Sequence, residues 1–252
     1  MDFGEYIKNC IVIEKYNTKD FIKTDPIQFP RKLYDRGMDI KDIEISAIIS
    51  SWLSYGSRKV FLPIIRALHE IMNWQPYEFI NSRKFASFKG EDSTMYRFYS
   101  YNDFYRLCDN LYIYYFYMYN GRSIGDVLKT EDDPLLKLIH MFDNINGFPK
   151  NKKSACKRLC LLLRWMVRND DIVDMGLWNL DKSKLIIPLD THVHKTALKY
   201  GITKRKQADM KTAVEITNFF KRIFPEDPAK GDFALYGWGI DNEIKVLTNE
   251  NH

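Results

Sequence analysis

Apolar positions along this chain recur at intervals of three and four, the period of helices that bury one face, and strand-like alternation is almost absent. The pattern predicts a helix from Tyr6 to about Lys15, a turn-rich connection from Thr24 to Pro30, and a short helical piece from Arg31 closed by Gly37. A strongly apolar helix follows from Asp42 to Leu53, opening with acids that suit the positive end of its dipole. It breaks at Tyr55-Gly56-Ser57-Arg58, and a second helix runs from Val60 to Trp74 before Pro76. From 76 to 143 helical runs alternate with Gly90, Gly121 and Asp133-Pro134. The stretch from Tyr96 to Tyr119 is crowded with rings, and rings recurring all round a helix predict one sandwiched between neighbours.

A turn signal, Asn146-Gly147-Phe148-Pro149-Lys150-Asn151, leads into a helix from Ser154 to Arg168. Its apolar face is Ala155, Leu159, Leu162, Leu163 and Met166; Leu161, Arg164 and Arg168 lie within about 40° of Lys157 on another face, so three cations are expected to look outward together. A looser stretch reaches Leu185. An apolar run then meets Pro188, and Thr191 to Tyr200 reads as a helix with Val193, Ala197 and Tyr200 on one side. Asp190 stands at that helix's N-cap, where its carboxylate accepts from exposed backbone N–H groups. After a polar linker from Thr203 to Gln207, a helix from Met210 to Phe224 stops before Pro225, and Asp232 to Ile240 forms a compact apolar terminal piece. The class is all-α.

At 252 residues the chain can build one large domain or two small ones side by side. No apolar run reaches membrane-span length, and Met-Asp-Phe-Gly-Glu is not a signal-peptide start. Cys10, Cys108, Cys156 and Cys160 form no CxxC pair; Cys156 and Cys160, four apart in a helical pattern, are expected to be free buried thiols, and a reducing, cytoplasmic setting follows. The net charge of +5 is modest, but Lys150, Lys152, Lys153, Lys157, Arg158, Arg164 and Arg168 fall in a stretch without Asp or Glu. Such a patch favours phosphate backbones; its bland reading is a solvated helix face. In a helix His192 and His194 point about 200° apart and cannot share a metal ion.

Leu189-Asp190-Thr191-His192-Val193-His194 resembles the Asp-Thr-His-Val segment of the helix-hairpin-helix DNA glycosylases of the endonuclease III type. The helix from Ile43, its break at 54–58 and the next helix look like that superfamily's first helical pair. Taken whole, the chain is similar to an uncharacterised bacterial family, the domain of unknown function numbered 2400, through Ser154-Ala155-Cys156-Lys157-Arg158-Leu159, Leu163 to Arg168, Pro188 to Val193, Asp227-Pro228 and Asp232 to Gly237. The usual Leu-Pro-Gly-x-Gly hairpin is absent; Gly147 and Lys153-Ser154-Ala155 are a degenerate version. The archaeal 8-oxoguanine glycosylases offer a better register, with a lysine inside the helix and a second cation seven residues on, matched here by Lys157 and Arg164.

The resemblance implies a two-lobed fold with an interlobe cleft, residues 1–41 with 189–252 in one lobe and 42–188 in the other. It implies base-excision repair of an oxidised base in duplex DNA by a monomer, with no cofactor, metal or iron–sulfur cluster. Lys157 would be the nucleophile, with Lys153 the alternative if the standard hairpin register holds, and Asp190 the catalytic carboxylate. Arg164 would support the lysine and His192 would order the Asp190 turn. Tyr55 would fill the gap left by the extruded base, and Arg58, Lys150, Lys152, Arg158, Arg168 and His194 would meet DNA. A non-catalytic nucleic-acid-binding module of the same fold, and a helical scaffold with a basic partner-binding face, are the rival expectations.

Overall fold

The computed structural model describes residues 18–169 and 172–237, so the expected helix from Tyr6 and the residues beyond 237 lie outside it. In chain order α1 is Lys19–Thr24, α2 Gln28–Asp35, α3 Ile40–Trp52, α4 Arg58–Ile71 and α5 Pro76–Asn81. A 3-10 turn at Lys84–Phe88 precedes a small antiparallel hairpin, β1 Thr94–Tyr96 and β2 Tyr99–Ser100, which strand signals did not predict. Next come α6 Tyr101–Tyr112, a π-helical turn Ile113–Met118, α7 Ile124–Leu128, α8 Pro134–Met141, α9 Lys157–Val167, α10 Thr191–Lys199 and α11 Met210–Lys221. Residues 231–237 are again helical. None of the described helices is long and apolar enough to cross a membrane.

Two helices form the centre. Every residue of α3 from Asp42 to Trp52 is buried, and so is every residue of α9 from Leu159 to Val167. A helix apolar on one face only could not sit there, because burial all round requires neighbours on every side. The buried apolar side chains form one cluster that runs from Ile27 to Leu235.

Burying α3 entire brings Glu44 inside, where a carboxylate needs every available donor. It accepts from Tyr115 Oη at 2.8 Å, Ser123 Oγ at 2.8 Å, Ile124 N and Gly125 N at 3.1 Å each, and Trp178 Nε1 at 2.7 Å. Glu44 thus supplies acceptors to the first turn of α7 from across the fold. Burial pushes its pKa above the ordinary glutamate value, although these donors pull it down.

The aromatic stretch is only partly sandwiched. Phe104 and Tyr115 are fully buried, whereas Tyr117 is 73% exposed on the π-helical turn. Cys156 and Cys160 are free and buried, as their spacing implied, and Cys108 is free and buried as well.

Candidate active site

The helix that carries Lys157 begins three residues later than its apolar period suggests. Cys156 takes the left-handed conformation (φ +49°) and serves as N-cap, which places Lys157 in the first turn of α9 rather than inside it. From there its Nζ donates to the Ser54 carbonyl at 3.4 Å, at the break between α3 and α4. Asp190, in extended conformation, accepts at 2.8 Å from Val193 N and caps α10 as its position predicts.

Lys157 and Asp190 line the same two spaces. An inner cavity of about 260 Å³ lies between them and the aromatic rings of Phe21, Phe61, Phe233 and Tyr236. An outer groove of about 650 Å³ runs past the 54–56 turn, the hairpin tip Arg97-Phe98 and the Gly147 loop. Ser54, Gly56, Lys157, Asp190 and His192 line both, so the lysine and the acid stand on the border that the two spaces share.

The inner lining carries the cations Arg58, Lys157 and Arg164 and the carboxylates Asp25, Asp190 and Asp232. Arg58 pairs with Asp25 at 2.8 Å and lies 5.0 Å from the Tyr236 ring centre. Arg164 pairs with Asp232, and at 3.3 Å with Asp174. Its Nη2 is buried without a hydrogen-bond partner among the described residues. Burial lowers the Lys157 pKa below the ordinary lysine value; Asp190 is the first of the charges that pull it back, followed by Asp25. Burial likewise pushes Asp232 up to about 6, against the pull of Arg164.

The model of the family described as "Protein of unknown function (DUF2400)" matches residues 25–241. The chain belongs to that family. No curated protein and no solved structure matches it.

In this DUF2400 protein several expected positions come out differently. Arg164 and Arg168 do not look outward. Arg168 is fully buried, held by Asp174 and, at 2.8 Å, by Asp227, and therefore cannot meet a phosphate. Burying two guanidiniums requires partners, and Asp174, Asp227 and Asp232 supply them from beyond the helix. His194 is also buried, its Nε2 at 2.8 Å from the Arg205 carbonyl, so it meets neither phosphate nor solvent. Lys152 is paired with Asp133 beside a separate cavity.

Lys153 is exposed on the turn before α9 and outside the lining of both spaces, whereas Lys157 is inside it. Lys150 is exposed. Arg158 donates to the Gly147 carbonyl and lies 5.2 Å from the Tyr55 ring centre, in the outer groove. His192 is exposed at the mouth, in edge contact with Tyr236.

Sequence reasoning passed over Asp25, Arg97, Phe98, Asp232 and Tyr236 as site residues. Asp232 and Tyr236 lie in a quoted family segment and could have been found there. Among the described residues no group of three or more His, Cys, Asp or Glu is arranged to hold a metal ion.

Proposed function

We propose that the protein is a base-excision DNA glycosylase with lyase activity, acting as a monomer on an oxidised base in duplex DNA. One observation carries the reading: an amine and a carboxylate 33 positions apart, Lys157 and Asp190, line one cavity and also the groove that adjoins it. The two proposed lobes, 42–188 and 1–41 with 189–252, both contribute to that lining.

The chemistry follows from the two environments. A lysine attacks only as the neutral amine, and burial favours that form. Its lone pair bonds to the anomeric carbon of an extruded nucleotide as the glycosidic bond breaks. The bonding electrons leave with the base, and a proton shed by the amine compensates them. Asp190, within the same cavity, offers a negative charge to the developing oxocarbenium. The ring-lined wall suits the faces of the extruded base. Opening of the sugar then leaves an imine to Lys157.

Borohydride reduces such an imine to a stable amine, so full-length protein and lesion-bearing duplex should give a covalent adduct. The adduct is expected to vanish in Lys157→Gln and to persist in Lys153→Gln. The reverse result would move the nucleophile to Lys153. DNA binding that weakens steeply with salt but yields no adduct would make the protein a non-catalytic module, and salt-insensitive association would leave a scaffold.

A further inference from the structure

The hairpin tip holds an exposed aromatic side chain on an unusually well-fixed support. Phe98 is 52% exposed, between Arg97 in the left-handed conformation (φ +52°) and Tyr99, which is 1% exposed. Tyr96 Oη donates to the Tyr55 carbonyl, and Tyr99 Oη to the Trp52 carbonyl at 3.2 Å. Asn146 Nδ2 donates to the Phe98 carbonyl at 3.3 Å, while Trp52 Nε1 donates to the Asn146 carbonyl at 2.7 Å. Three loops are thus tied to one another beneath a ring that faces water. Two glycines permit the approach: a Cβ on Gly56 would lie 2.9 Å from Arg97 and Tyr96 atoms, and one on Gly147 would lie 2.1 Å from Tyr99 Oη.

Tyr55, the wedge expected from sequence, is the poorer candidate. Its ring centre already has the guanidiniums of Arg97 and Arg158 at 5.2 Å each, and it lies 5.7 Å from the Phe98 ring centre in a tilted pair. Phe98 lines the same groove as Lys157 and Asp190. The groove's side chains include the cations Arg97, Lys157 and Arg158 against the carboxylate Asp190, a balance that suits a polyanion.

Resting on the DNA reading above, we propose that the hairpin inserts Phe98 into the base stack at the position vacated by the extruded nucleotide. Tyr55 buttresses the ring from behind, and Arg97 and Arg158 meet the flanking phosphates. Apolar side chains inserted between base steps are a general means of holding a duplex kinked and open, and a rigid mount avoids ordering the side chain on binding.

Duplexes with a tetrahydrofuran abasic analogue beside 2-aminopurine report the insertion, because 2-aminopurine brightens when separated from its neighbours. Wild type should raise the fluorescence at saturation. Phe98→Ala should remove most of the rise and weaken binding about five- to tenfold, the cost of one lost stacking partner. Phe98→Trp should keep both, as should Tyr117→Ala, which removes an exposed ring outside the groove. No rise with wild type, or an equal rise and affinity with Phe98→Ala, overturns the inference. Borohydride capture on a natural abasic site separates the two readings. Capture by wild type with no effect at Phe98 leaves the repair chemistry standing without this wedge; a Phe98-dependent rise without capture leaves the wedge on a non-catalytic protein. Absence of both capture and binding removes both.

Discussion

Arg164 Nη1 donates to Asp232 Oδ2 across 68 residues of chain, in the wall of the cavity that Lys157 and Asp190 share. The same guanidinium reaches Asp174 at 3.3 Å. One buried cation therefore ties the central helix α9 to two later segments, and it holds Asp232 within electrostatic reach of Lys157. Breaking such a pair leaves a charge buried without compensation, so the pair fixes the shape of the cavity as well as its charge.

The pH dependence of imine capture tests that electrostatic arrangement. The rate requires neutral amine, so it rises with pH through the Lys157 pKa. Asp190 favours the charged amine and Arg58 disfavours it. Asp190→Asn is therefore expected to move the midpoint of capture on abasic DNA to lower pH, and Arg58→Gln to move it to higher pH. A midpoint unmoved by both substitutions would remove Lys157 as the titrating nucleophile.

Burial separates the cations of the basic segment into two kinds. Arg168→Ala would strand Asp174 and Asp227 inside, and should cost about 3–5 kcal/mol in urea unfolding. Lys150→Ala, at an exposed position, should leave stability within about 0.5 kcal/mol. On the DNA reading it should instead lower the slope of log affinity against log salt by about one. Equal stability of the two variants would contradict the buried ion-pair network.

Glu44 should prove among the most sensitive positions for folding. Glu44→Ala removes the acceptor from five buried donors, and should cost at least about 3 kcal/mol in thermal or urea unfolding. Glu44→Gln should cost less, since its carbonyl still accepts while its amide faces donors. A loss for Glu44→Ala within about 1 kcal/mol would mean that the first turn of α7 does not depend on this carboxylate.

Several features were legible because they depend on near neighbours in the chain. The period of apolar residues located α3, α4, α9, α10 and α11 to within a few residues at each end. Gly37 and Gly147 both adopt positive φ at the turns they were read to make. Asp190 caps α10 because its side chain needs only the backbone three residues ahead.

Helical period could not decide which way Arg164, Arg168 and His194 face. Their partners Asp174, Asp232, Asp227 and the Arg205 carbonyl are set by packing, and a count of charges on one face scores a buried cation like a solvated one. The left-handed turn at Cys156 is likewise silent in hydrophobicity, yet it sets where α9 starts and so where Lys157 points. Phe98 reads in sequence as one more ring among many; the hairpin alone leaves it facing the groove. The chain by itself determined local hydrogen bonding and the all-α character, because both are settled within a few residues. Only the tertiary structure decided which charges are buried and which side chains meet around the cavity, because those contacts join segments tens of residues apart.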